Sequence, residues 1–489
     1  MTARRRWRSV TGACDAARHG WPDPASPRAR LRLPGRRATL LLALGFPLAA
    51  LPACAPAPPA EPAEDLVVYG ARVWDGTGAE LGEPAVLRIA AGRILSVEPL
   101  SGDADVAAAA EAAGVPAIDA TGQFIIPGLI NVHGHVGGTW IPGSGVDYPD
   151  YAVSELARYA RFGVTTVNSL GGDREPVFAI RDASWGAGAE VGADAAEGAD
   201  LLRGSPHARL LVAGPVVTGA SPEEVTAGVD AAAAMGPDWI KIRVDDNLGT
   251  STKMSPESYG AVIARAAEHG LRVASHLFYH EDAKGLLRAG TGMVAHSIRD
   301  EAVDEETIGL FHETGVCYVP TLTREVSTYA YGGRPDFFDD PFLMSDVDSA
   351  QVMTVSDPAR QERIRASGAA EAYGRALEIA LSNLALLAEA GVPIAFGTDS
   401  GPVGRFQGYF EHMEMTLMAE AGLSPEQILR SATGVAADCL GREDIGTLEP
   451  GRRADFVLLR ANPVENVANA RSIEGVWVGG ERTDGSRRF

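Results

Sequence analysis

The chain has 489 residues, 46% hydrophobic and 22% charged, with 64 acidic against 43 basic side chains and a formal net charge of −21. That composition excludes disorder along the whole chain, and the acidity argues against a nucleic-acid partner, because phosphate binding needs a positive patch. The length allows one large barrel with a smaller appended domain, or two or three ordinary domains.

Residues 1–53 stand apart from the rest. They hold ten Arg and no Lys against Asp15 and Asp23, and end in an apolar run over 38–53 that Pro47 interrupts. A basic stretch feeding an apolar run too short for a comfortable membrane span reads as a removable signal peptide. Leu51-Pro52-Ala53-Cys54 resembles a bacterial lipobox, which would make Cys54 the lipidated first residue of an exported, periplasmic or membrane-anchored lipoprotein. A plain signal peptide cleaved nearby is the alternative, and Arg36-Arg37 also permits a twin-arginine signal. Loss of this segment takes the formal charge from −21 to −29. Residues 54–64 follow as a Pro-rich tether that cannot pack.

From residue 65 the runs 66–74, 85–90 and 94–97 are short and β-rich, parted by Gly-containing turns, up to about Gly122. Strands then alternate with helical stretches, and apolar runs end at His135, Leu170, Gly214, Val244, His276, His296, Leu322 and Asp399. Eight such units over 123–443 predict an α/β fold, a closed parallel (β/α)8 barrel of the TIM type. The longest gap, 322–384, carries Tyr329, Tyr331, Phe337 and Phe338 and suggests a lid or substrate-facing insertion. Residues 456–459 and 475–480 are again short strands, so 65–122 and 444–489 are expected to pair as one small β-sandwich into which the barrel is inserted. Cys317 and Cys439 could pair in an oxidising compartment, but both lie inside apolar patterns, which favours buried free thiols.

The barrel runs carry a set of metal-ligand side chains. His133 and His135, two residues apart on one strand, point to the same side, so two ring nitrogens can reach one metal. In 238–244 the alternation puts Ile240, Ile242 and Val244 on one face and Trp239, Lys241 and Arg243 on the other. If the apolar face meets the helices, Lys241 points inward, whereas an outward lysine would turn the Ile/Ile/Val face into the interior. A buried ammonium is costly unless paired or chemically changed, so an inward lysine near metals suggests a carbamate that bridges them. Two further runs finish on His276 and His296, and the last places Ala395, Gly397 and Asp399 on one face. A core histidine or a turn-forming Asp explains each of these alone; their order along the strands, at the rim where barrels keep their active sites, points to a site.

That ordered set resembles the amidohydrolase superfamily in its binuclear-metal branch, and the imidazolonepropionase-like and Xaa-Pro dipeptidase-like group within it. The resemblance extends to 126–133 (Ile-Pro-Gly-Leu-Ile-Asn-Val-His), 421–429, 432–434 and 451–458. It implies that His133, His135 and Asp399 bind one divalent metal, that His276 and His296 bind a second, and that carboxylated Lys241 bridges them, with zinc the default ion. It also implies hydrolysis of an amide-type C–N bond in a dipeptide, N-acyl amino acid or cyclic amide by a hydroxide between the metals, with Asp399 moving the proton. Where the related deaminases carry a carboxylate or amide three residues past the fifth-strand histidine, this chain has Tyr279, which disfavours deamination. Arg243 and Tyr279 are candidates to hold a substrate carboxylate or carbonyl, as are Arg299 and Arg324, though capping and core roles serve all four equally well. A hydrolase of lactones or organophosphates, or a non-catalytic surface-anchored binding protein, are the alternatives. An oligomer is compatible with all of these readings.

Overall fold

The computed structural model describes residues 64–78, 80–102, 105–186, 202 and 207–483. The basic leader, Cys54 and the tether to residue 63 lie outside the described residues.

The N-terminal strands are β1 (Leu66–Val73), β2 (Pro84–Ala90), β3 (Arg93–Pro99), β4 (Ala117–Asp119) and β5 (Phe124–Pro127). They are followed by β6 (Leu129–Gly134), β7 (Val164–Ser169), β8 (Arg209–Val212), β9 (Val216–Val217), β10 (Trp239–Val244), β11 (Arg272–Leu277), β12 (Met293–Ala295) and β13 (Cys317–Val319). Last come β14 (Phe456–Leu459), β15 (Ile473–Val478) and β16 (Glu481–Arg482).

Both ends of the chain share one sheet, of eight strands, in the order β16-β15-β14-β5-β1-β2-β3 with β4 beside β1. β5 is the seam, antiparallel to β14 with Ile125 opposite Leu458, and parallel to β1. Alternate residues on one face, among them Val68, Leu87, Ile89, Phe456 and Trp477, form a common core in which the Phe456 and Trp477 rings stack at 4.6 Å. Burying each such large side chain contributes about 1.5–3 kcal/mol, which ties the two ends together.

The strands between are parallel, in the sheets β6-β7-β8 and β13-β12-β11-β10-β9. β8 and β9 are one course of chain interrupted at Gly214-Pro215. Proline has no N–H to give, and pairing passes at that point from β7 to β10. Segment 393–400 is hydrogen-bonded to the edges of both sheets. Tyr318 N–H donates to the Pro393 carbonyl and Ala395 N–H to the Tyr318 carbonyl, both at 2.9 Å; Val132 N–H donates to Phe396 O at 2.9 Å and His135 N–H to Ser400 O at 2.8 Å.

Helices follow most of these strands, and their starts are written in the sequence. Ser221, Ser255 and Asp304 each accept a hydrogen bond from the third helical N–H, and Pro222 and Pro256 occupy the first helical position. Ile240, Ile242 and Val244 share a core with Val225, Val229 and Val262 of these helices. Trp239 joins a separate interior cluster with Val132, Ala274, Ala295, Val319 and Ala395. Lys241, on the Trp239 face of β10, is therefore turned to the interior, and it is buried. Residues 322–365 form short helices, and Tyr331, Phe338, Leu343 and Val355 pack there on Phe406, Tyr409 and Phe410.

The cysteines correct one expectation. Cys317 opens β13, Cys439 lies in the helix Gly434–Leu440, and the two form a disulfide with Cα atoms 5.9 Å apart across 122 residues of sequence. Both positions are apolar in pattern because both are buried, and that pattern carries no information about a partner so distant in sequence. A loop of that length gives a chain-entropy stabilisation of about 5 kcal/mol. Reduction, or Cys317→Ser with Cys439→Ser, should lower the melting temperature by roughly 5–10 °C in calorimetry. An unchanged transition would mean that the bridge adds nothing the packing does not already supply.

Candidate metal centre

Six side chains meet at the carboxyl ends of the parallel strands. His133 is in β6 and His135 just past it, Lys241 is in β10, His276 in β11, His296 immediately after β12, and Asp399 in segment 393–400. His135 Nε2 lies 2.8 Å from Asp399 Oδ1, and His133 Nε2 lies 3.6 Å from the same oxygen. Lys241 Nζ is 3.2 Å from His133 Nε2. Ring centres of His133 and His296 are 4.5 Å apart, and those of His296 and His276 4.2 Å. Ligand atoms of His133, His296 and Asp399 all fall within 4.8 Å of one another.

The backbone bends to bring them there. Asp399 has φ 57°, His296 φ 123° and Thr321 φ 48°, a region that side-chain-bearing residues occupy at a cost of order 1–3 kcal/mol each. Hydrogen bonds oppose that strain: Asp399 N–H donates to His133 O at 2.7 Å, and His296 N–H to Val319 O at 3.1 Å. At Gly397 even a methyl group would come within 2.9 Å of His133 Cβ and 2.5 Å of a Val319 methyl, so this strand approaches β6 only as glycine.

Neighbouring groups orient the imidazoles. His135 Nδ1 is 3.0 Å from the Gly171 carbonyl, which can only accept, so Nδ1 carries a proton and Nε2 is turned toward Asp399. His296 Nδ1 meets Thr321 Oγ1 at 2.7 Å, leaving Nε2 toward the cluster. His276 Nε2 meets Asp245 Oδ2 at 2.8 Å, leaving Nδ1.

Burial, with neighbouring positive charge, holds His133 and His296 well below the usual imidazole range and brings His276 down to about 3, so these rings are neutral, the ligating form. Burial likewise brings Lys241 down to about 7, against the pull of Asp399. Burial would raise Asp399, but the Arg405 guanidinium on Oδ2, with His135 and His133, holds it well below the usual carboxylate range.

This donor set fits a divalent cation. His135 Nε2 and His133 Nε2 stand 2.8 and 3.6 Å from the same Asp399 oxygen, a spacing at which all three atoms can share one ion. His133 Nδ1 is also buried without a hydrogen-bond partner. Imidazole and carboxylate donors are the set that takes zinc-like ions.

Arg243 and Tyr279 lie toward the rim. Arg243 is hydrogen-bonded to Asn247 and stands 3.5 Å from Asp245, while the Tyr279 hydroxyl donates to Asp246 Oδ1 at 2.7 Å beneath the Lys253 ammonium. Sequence reasoning missed three residues that hold the centre. Asp245 continues the Lys241–Arg243 face of β10 by one more alternation and was open to the same reasoning. Thr321 and Arg405 sit in turns beyond their strands, where no period marks them.

A model of the amidohydrolase family matches residues 124–483, and the chain belongs to that family. It is similar to an imidazolonepropionase of Cutibacterium acnes, 41% identical over 75 residues, which span 15% of this chain and 19% of that protein. It is also similar to an uncharacterized protein of Mycobacterium tuberculosis, 24% identical over 353 residues, 70% of this chain and 80% of that one. Among solved structures, that of a Xaa-Pro dipeptidase with bound methionine in its active site shares the fold, with a TM-score of 0.64 at 20% identity over 86% of this chain and 100% of that one.

Proposed function

We propose that this protein is a metal-dependent hydrolase of amide-type C–N bonds acting on dipeptides, N-acyl amino acids or cyclic amides. The observation that carries the reading is the convergence of four imidazoles, one ionised carboxylate and one buried lysine at the strand ends. In this reading His133, His135 and Asp399 hold one divalent ion, and His276 and His296 hold a second. Lys241 would contribute to holding both as a carbamate, formed when its neutral amine adds to the carbon of CO2 and releases one proton. A lysine brought by burial to about 7 supplies that neutral amine at physiological pH. Bound divalent ions, zinc by ligand type, supply the Lewis acidity that lowers the pKa of water and polarises the scissile carbonyl. Asp399, kept an anion by Arg405, is in the form that accepts a proton and can pass it to the leaving nitrogen.

The fold supports the same reading at a larger scale. Segment 393–400, bonded to both parallel sheets, is the strand that would close them into one (β/α)8 barrel over 123–443. The eight-stranded sheet, which draws on strands before and after the parallel sheets and reaches Pro127 through β5, has its own core, and we read it as the small second domain expected of 65–122 and 444–489. We read residues 1–53 as an export signal followed by a lipid-bearing Cys54, and the Cys317–Cys439 disulfide suits an oxidising compartment. Among the described residues no helix is long and apolar enough to cross a membrane.

The test is metal content per chain of the purified protein, alongside hydrolysis of dipeptides, N-acyl amino acids and lactams. About two zinc-like ions are expected, with cleavage of at least one class that chelation abolishes and metal restores. A metal-free protein, or cleavage indifferent to chelation, would overturn the proposal.

A further inference from the structure

We infer that the end of the parallel strands opposite the metal centre carries a second binding site, for a small organic monocarboxylate with an apolar tail, held by Arg272 and Arg430. This site stands apart from the hydrolase reading above. A cavity of about 540 Å³ opens there, within the size range of small-molecule sites. Its wall contains the starts of strands whose far ends bear the ligands. Arg272 opens β11, which carries His276; Gly292 precedes β12, which runs to His296; and Pro393 begins the segment that runs to Asp399. The helices Pro425–Ser431 and Gly434–Leu440 supply much of the remainder.

Three polar groups of this cavity have unmet hydrogen-bonding capacity. Arg272 holds its guanidinium 4.0 Å from the centre of the Trp239 ring and donates through Nη1 to the Cys439 carbonyl at 2.9 Å. Gly292 makes that pose possible, because a Cβ there would come within 2.8 Å of Arg272 Cβ and 3.2 Å of the indole. One carbonyl leaves most of the five guanidinium N–H donors to spare. Among the described residues the Arg430 side chain has no hydrogen-bond or ion-pair partner. Ser431, 2% exposed, has a buried hydroxyl that also lacks a partner. Such a hydroxyl is costly to bury, and a ligand oxygen in the cavity would satisfy it.

The lining sets the class of ligand. Arg272 and Arg430 stand against Asp438 alone among the ionisable groups that line the cavity, two positive charges to one negative. Arg442 and Arg452, in the smaller recess that shares Arg430 and Asp438, are already paired with Asp444 and Glu449. A guanidinium fork matches a planar carboxylate, whereas Asp438 would repel a second negative charge and so disfavours a phosphate. Val392, Ile394, Leu423 and Val435 complete the wall with apolar surface that a hydrocarbon tail would cover.

Isothermal titration of the purified protein with hexanoate, hexanamide and acetate tests the site. Hexanoate should bind at least about 10-fold more tightly than hexanamide, the effect of a charge-assisted hydrogen bond. It should bind about 10²-fold more tightly than acetate, whose tail is shorter by four methylenes. Arg430→Met should bring hexanoate to within a few-fold of hexanamide, and Ser431→Ala should weaken it by a smaller factor. Val435→Trp, which fills the cavity, should abolish binding of both. Arg430 is exposed and Val435 half-buried, so both variants should fold, and thermal unfolding checks that they do. Equal affinity for hexanoate and hexanamide in wild type, or no binding of hexanoate at millimolar concentration, would overturn the inference. Hexanoate binding left unchanged by Arg430→Met or by Val435→Trp would overturn it as well, because the carboxylate would then sit elsewhere, at the metal centre for instance.

Discussion

Lys241→Ala and Asp399→Ala should both abolish turnover, by at least about 10³-fold, yet differ in stability. Lys241 is buried, and its hydrogen-bonding neighbour is an imidazole nitrogen of His133 rather than an acid. Its ammonium form is disfavoured there by burial. Removing the amine relieves that burden, so with metal stripped from both proteins the melting temperature of Lys241→Ala should equal or exceed that of the wild type. Asp399→Ala instead leaves Arg405, most of whose side chain is buried, without the acid that it touches. Leaving a buried charge unpaired costs about 2–4 kcal/mol, and Asp399→Ala should melt correspondingly lower. Metal content should fall in both. Activity, bound metal and thermal unfolding measured together separate loss of the centre from loss of the fold; full activity in either variant would sink the proposed mechanism.

What the sequence made legible was whatever repeats with the period of a strand. Lys241 could be turned inward from Ile240, Ile242 and Val244 alone, because successive side chains in a strand face opposite ways. His133, His135, His276, His296 and Asp399 were visible for a related reason, since each ends an apolar run. Contacts that join distant parts of the chain were not legible. Asn131 and Glu411 are 280 residues apart and Cys317 and Cys439 are 122 apart, and no local pattern couples them. The run ending at Asp399 was legible but its pairing was not: 393–400 is held by single bridges at Ile394 and Ser400, and its hydrogen bonds pass to two different neighbours. Arg405 and Thr321 owe their places to tight turns, where function can reside without periodicity.

Glu411 offers the sharpest test of how the two ligand-bearing strands are held in register. It lies in the helix Tyr409–Glu420, wholly buried, and its Oε1 accepts from Asn131 Nδ2 at 2.6 Å, Ser400 Oγ at 2.6 Å and Thr398 Oγ1 at 2.8 Å. Asn131 in turn accepts the His133 N–H at 2.9 Å, and Thr398 and Ser400 flank Asp399. One oxygen therefore fixes the chain on both sides of the centre without touching a ligand. Burial raises the Glu411 carboxyl above its ordinary range, and the donors around Oε1 pull it back. Glu411→Ala would take their shared acceptor from three buried donors, a loss of about 3–5 kcal/mol. Glu411→Gln keeps an oxygen for the same three donors and sets its amide where Oε2 already lacks a partner, so its cost should stay near 1 kcal/mol, within the range for one unsatisfied buried group. Urea unfolding of the two variants, with bound metal measured on each, should place Glu411→Ala far below Glu411→Gln in both stability and metal retention. Equal losses would show that packing of the Tyr409–Glu420 helix, rather than the shared oxygen, holds the two strands in place.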